Sequence, residues 1–200
     1  MADGSTEWHI PDVLSPAAQE LLRIGRNEAY GRLTPTGPGS NEARSRLHRL
    51  RPEELFTGPV RSTDDARAVL AGMWLYHDFL DESHRISQDL HTATGSFWHA
   101  IMHRREADFS NAKYWYARCR QHPALKGIAQ EGQVALRGVA RAGELERLVV
   151  GRWDPDGFVD VVEAIHRKPD DPLYATAAKL QRAEWRGLLA HCADSAAGRQ

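Results

Sequence analysis

The sequence predicts an all-α protein: a helical bundle of antiparallel helical hairpins, preceded by an irregular N-terminal arm. Three observations carry this. Helix-start signals recur along the chain, a capping side chain followed by proline or by acidic residues. Apolar residues return at helical spacing between those signals. Strand signals are missing, because the single strand-like fragment, Leu148-Val149-Val150, is too short to count.

In chain order, Ser15 stands at an N-cap position, Pro16 at the first helical position and Gly25 at a stop. Residues 31–41, GRLTPTGPGSN, are too dense in Gly and Pro to continue any regular element. Residues 1–60 therefore read as an arm with one or two short helices, and Pro52 in LRPEEL begins another. Residues 61–200 form the helical domain. Its longest expected helix covers 63–91, with Ser62 and Asp65 resembling a capping box. Thr92 to Ser96 interrupt it.

Helices follow at about 97–106 and 110–121, the second ended by His122-Pro123. Residues 124–149 give one or two further helices, weakened by Gly127, Gly132, Gly138 and Gly143. Asp154 before Pro155 opens a helix with Phe158, Val161, Val162 and Ile165 on one side. Asp171-Pro172 repeats the device ahead of Leu173, Ala177, Leu180, Leu188 and Cys192.

Composition narrows the class of function. The chain has 200 residues, 42% hydrophobic and 26% charged, which suits one soluble domain with a substantial core. A net charge of -1 lacks the electrostatic footprint of a nucleic-acid binder. No apolar run reaches the roughly 18 residues that cross a bilayer, and no signal-peptide pattern opens the chain. Cys119 and Cys192 form no CxxC motif, so a reduced, cytoplasmic setting is the expectation, with a single disulfide as the alternative. No Gly-rich phosphate loop follows a strand, and no G-x-S-x-G or Cys-His nucleophile pattern supports a hydrolase.

Histidine is unusually concentrated. Five of the ten, His77, His84, His91, His99 and His103, fall within 27 residues. On a continuous helix, His77, Asp81, His84, Gln88 and His91 share about 80° of arc. The D-x-x-H spacing of Asp81 and His84 puts a carboxylate and an imidazole on one face, as helical metal sites require. The same border position also suits histidines that only hydrogen-bond a neighbour.

His99 and His103 have the H-x-x-x-H spacing that aims two imidazoles to one side of a helix. Ala100 occupies the position where a zinc protease needs its general-base Glu, which excludes that form. His103 and Glu106 echo, reversed, the Glu-x-x-His pairing of di-iron bundles. Asp81, His84, His99, His103 and Glu106 are thus the candidate ligands of a divalent transition metal. A pocket for a small anionic ligand is the alternative, drawing on Arg104, Arg105, His77, Asn111 and Tyr114. Charges such as Arg104 and Arg105 otherwise form a solvated face.

The segment EADFSNAKYWYARC resembles the turn and second helix of a tetratricopeptide repeat. Ala107-Asp108-Phe109, Ala112, Trp115-Tyr116 and Cys119 match in order, and Pro123 closes the helix. The likeness covers residues about 96–123, and no repeat period is evident elsewhere. It implies a helical hairpin, and a protein-interaction module without catalysis as the competing function, with Trp98, Trp115 and Tyr116 packing the hairpins. Its register also implies that His99 and His103 stand where apolar residues usually pack, so something must satisfy their polar atoms. More broadly, YHDFLDESH, GSFWHAIMHRRE and EWRGLLAHC resemble a group of uncharacterised helical proteins, which implies only that residues 70–192 are one unit. A structural subunit that self-associates is the third reading.

Overall fold

The computed structural model describes residues 8–26, 30–37, 39–139 and 142–199. Helices start where the sequence supplies caps. Ser15 accepts a hydrogen bond from the Ala18 amide, and Pro16 opens α1 (Pro16–Arg23) at a position whose N–H would have had no partner. Ser40 caps α2 (Asn41–Leu47) and Ser62 caps α3 (Thr63–Tyr76) in the same way. Then come α4 (Leu80–Gln88), α5 (Ala93–Arg105) capped by Thr92, and α6 (Phe109–Tyr116) capped by Asp108. The chain continues through α7 (Ala124–Ala135), α8 (Gly143–Glu146), α9 (Pro155–Ile165) capped by Asp154, and α10 (Tyr174–Ala197). Among the described residues there is no strand, only an isolated bridge between Leu14 and Phe56. The all-α expectation holds.

The expected helix over 63–91 is two helices. α3 stops at Tyr76, and Asp78 takes a left-handed conformation with φ 63°. For a residue with a Cβ that conformation costs roughly 1–2 kcal/mol. The Asp78 carboxylate accepts a 2.7 Å bond from Arg105, which holds it there. The partner lies 27 residues away, so local sequence pattern does not reveal it. The polar stripe breaks accordingly: His77 ends α3, and His91 lies beyond α4. The interruption expected at Thr92 to Ser96 lies earlier, at residues 89–92, because Thr92 is the cap of α5 and Ala93 its first residue.

α10 packs on α3 and α7, while α5 packs on α3, α4 and α6, and α9 covers α6. α3, α5 and α10 meet at Gly72. A Cβ there would lie 2.7 Å from the Trp98 ring, and the Gly72 carbonyl accepts a 2.8 Å bond from Trp185 Nε1. The N-terminal arm joins this same core. Leu21 and Leu22 of α1 are fully buried, each contributing roughly 2 kcal/mol over an exposed side chain. Tyr76 donates to the Leu22 carbonyl at 3.2 Å, and Tyr30 stacks against Tyr76.

Every residue of α5 from Thr94 to Arg105 is buried, polar ones included. Arg104 and Arg105 are fully buried and so do not form a solvated face. Arg104 pairs with Glu184 of α10, which also accepts from Tyr116 Oη at 2.9 Å and Trp153 Nε1 at 2.7 Å. Arg105 binds Asp78 and the Leu75 carbonyl and lies 3.8 Å over the Tyr30 ring. Both guanidiniums are committed to internal partners. They lock α5 to α3 and α10.

Candidate metal centre

The first turn of α5 sits directly on the end of α4. A Cβ on Gly95 would come within 2.2 Å of the Leu90 carbonyl oxygen, so only glycine permits this approach. The Thr92 hydroxyl accepts from the Gly95 amide at 3.0 Å and fixes the corner. That close join makes α4 and α5 neighbours and brings His84 against His99 and His103.

The three imidazoles form a compact group. His99 and His103, one turn apart, stack with ring centres 4.6 Å apart and planes at 17°. His84 stands edge-on to both, at 4.7 Å from His99 and 5.5 Å from His103. One ring nitrogen from each lies within 4.8 Å of the other two. Trp115 of α6 covers the other face of His99 at 4.1 Å, a wall of apolar surface. Trp115 thus packs on an imidazole, where the resemblance implies an apolar partner.

His99 is the anomaly of the site. It is 3% exposed, and neither ring nitrogen has a hydrogen-bond partner. Burial pushes its pKa down to about 3, with His103 and His84 adding to the effect. The ring is therefore neutral near pH 7 and carries an available lone pair. His103, also buried, has its Nδ1 2.6 Å from Glu106 Oε1 and 3.9 Å from Asp108 Oδ2. That arrangement follows from the way α5 ends. Ala107 at φ 67° is a left-handed C-terminal residue, with its amide bonded to the Arg104 carbonyl and the Asp108 amide to the His103 carbonyl. The turn folds both carboxylates back over His103.

The trio suits an ion that prefers nitrogen. Nitrogens around a tetrahedral zinc lie about 3.3 Å apart, given Zn–N distances of about 2.0–2.1 Å. The three imidazole nitrogens, within 4.8 Å of one another, would have to close to that spacing. A second set, His103, Glu106 and Asp108, also lies within 4.8 Å, but its carboxylates are well exposed and already bonded. Asp108 caps α6 through the Asn111 amide.

The other predicted site residues fall elsewhere. Asp81 is exposed in the first turn of α4, where a carboxylate favours the helix start, and belongs to neither set. His77 turns to the N-terminal arm, with Nε2 3.1 Å from the Leu21 carbonyl. The backbone N–H of Asn111 donates to the α6 cap, and Tyr114 is 52% exposed with Arg118 stacked over it. Arg104 and Arg105 are held by Glu184 and Asp78, so the anion-capturing set is not assembled. Asp108 was legible only as part of the repeat-like turn, and its approach to His103 depends on the left-handed Ala107. No protein-family model, no curated protein and no solved structure matches the chain.

Proposed function

We propose that this protein binds a divalent transition-metal ion through His84 of α4 and His99 and His103 of α5. The observation that carries the reading is His99: a buried, neutral imidazole with two unpartnered nitrogens, set between Trp115 and two further histidines. A buried polar group left unsatisfied costs roughly 1–3 kcal/mol. A metal bond satisfies the lone-pair nitrogen and removes its share of that cost. Neutral imidazoles suit zinc, copper, nickel and iron better than magnesium or calcium.

Three protein nitrogens leave a fourth position for water or a substrate atom, the ligand count of catalytic rather than closed structural zinc sites. Water held there would be acidified toward neutrality, which supports hydrolytic chemistry. The ion would also tie α4 to α5, adding binding energy to the stability of the fold.

Cobalt(II) titrated into chelator-treated protein tests this. The reading expects visible absorption of four- or five-coordinate cobalt saturating at about one ion per chain, displaced by zinc. Absorption no stronger than that of aqueous cobalt, or a spectrum unchanged in His99→Ala, would overturn it.

A further inference from the structure

Resting on the metal reading above, we infer that Glu106 is a positioning residue for the site and not one of its ligands. Its carboxylate accepts a hydrogen bond from His103 Nδ1 and thereby selects the ring form whose lone pair is on Nε2. The 2.6 Å contact between His103 Nδ1 and Glu106 Oε1 is the shortest polar contact any of the three histidines makes. A carboxylate can only accept, so Nδ1 carries the proton.

The backbone keeps Glu106 in place. It is the C-cap residue of α5, its amide bonded to the Met102 carbonyl at 3.0 Å, immediately before the left-handed Ala107. Asp108 supports the same nitrogen from 3.9 Å, while its other oxygen is occupied by the Asn111 amide and the Ser110 hydroxyl.

The two α5 histidines are therefore unequal. His99 has no partner that chooses between its nitrogens. His103 is oriented in advance, so less ordering remains when an ion arrives. Carboxylates that hold a metal-binding histidine in this way typically account for about 10–100-fold in affinity. Glu106 also compensates charge, since a dication on three neutral imidazoles has no anionic ligand and the carboxylate is one residue removed from it.

The test uses full-length protein labelled at histidine nitrogens, with long-range proton–nitrogen spectra recorded metal-free at about pH 8, above the ordinary imidazole range of about 6.5. His103 is expected in the Nδ1–H form, shifting to a mixture or to Nε2–H in Glu106→Ala. Zinc affinity should fall about 10–100-fold in Glu106→Ala, while Glu106→Gln, which keeps a carbonyl acceptor, recovers most of it. Glu106 is 40% exposed, so both variants should fold, which circular dichroism checks. An Nε2–H His103 in the unaltered protein, or a tautomer that Glu106→Ala leaves unchanged, overturns the inference. Abolished zinc binding in both variants with an unchanged tautomer would make Glu106 a ligand, which also overturns it. An Nδ1–H His103 in a protein that takes up no zinc would refute the metal reading and leave the role of Glu106 in selecting the tautomer standing.

Discussion

Replacing His99 with leucine should change stability in opposite directions with and without metal. In the metal-free protein the imidazole is 3% exposed and carries one donor and one acceptor nitrogen without partners. Each unsatisfied group costs roughly 1–3 kcal/mol, and an apolar replacement of similar shape removes both. The ring stack on Trp115 is lost, at roughly 0.5–1.5 kcal/mol. Taking about 1–1.5 kcal/mol for each nitrogen, the lower part of that range, and about 1 kcal/mol for the lost stack, His99→Leu should therefore stabilise the chelator-treated protein by about 1–2 kcal/mol. For a chain of this size that raises Tm by about 2–8 °C. With zinc at a hundredfold excess over Kd the unaltered protein gains about 2.7 kcal/mol, or roughly 5–10 °C, and the variant gains none. Calorimetry with chelator and with zinc reads all four values. A variant less stable than the parent in chelator would mean that His99 is satisfied within the protein. An undiminished zinc response would mean that the ion sits elsewhere.

Other expectations follow from the same packing. His77 and His122 are 5% and 4% exposed, and burial pushes both down to about 4, with His191 contributing at His122. Unfolded imidazoles protonate near 6.5, so the unfolded state binds more protons between about 6.5 and 4. Stability should fall across that window by up to about 3 kcal/mol per histidine and level off below it; urea midpoints in His122→Gln should show a shallower decline. Glu184→Ala leaves Arg104 buried without its carboxylate and Trp153 Nε1 without an acceptor, so urea unfolding should report a loss of about 3–5 kcal/mol. A loss under about 1 kcal/mol would show that water replaces the carboxylate. Gly95→Ala forces a Cβ onto the Leu90 carbonyl and should cost about 1–3 kcal/mol while weakening zinc binding by separating His84 from α5. Unchanged zinc affinity in that variant would refute the role given to the α4–α5 corner.

The sequence was most informative where structure is local. Ser15, Ser62 and Asp154 each accept the hydrogen bond their cap positions predict, because capping involves residues only two or three apart. The grouping of His84 with His99 and His103 was also legible, since a short connection after α4 forces two successive helices together. Asp171-Pro172 was legible only approximately: the Asp171 carboxylate accepts from the Leu173 amide in a turn, and α10 starts at Tyr174.

What local reasoning missed depends on distant partners. Asp78 breaks the 63–91 helix because Arg105 holds it, and neither residue is unusual in its own neighbourhood. The run His103-Arg104-Arg105-Glu106 has the composition of a solvated face. In the fold α5 is enclosed on all sides, and Arg104 is neutralised by Glu184, 80 residues later. With α5 buried all round, apolar periodicity could not distinguish its inner face. The arm likewise looked peripheral, yet Leu21, Leu22 and Tyr30 are as buried as any residue of α10.

Elemental analysis of untagged protein purified without chelators addresses the central claim most directly. The account predicts about one transition-metal ion per chain, lost in His84→Ala, His99→Ala and His103→Ala and retained in Asp81→Ala and His77→Ala. A metal-free protein that takes up no ion on reloading, or a bound ion that survives all three histidine substitutions, would contradict it.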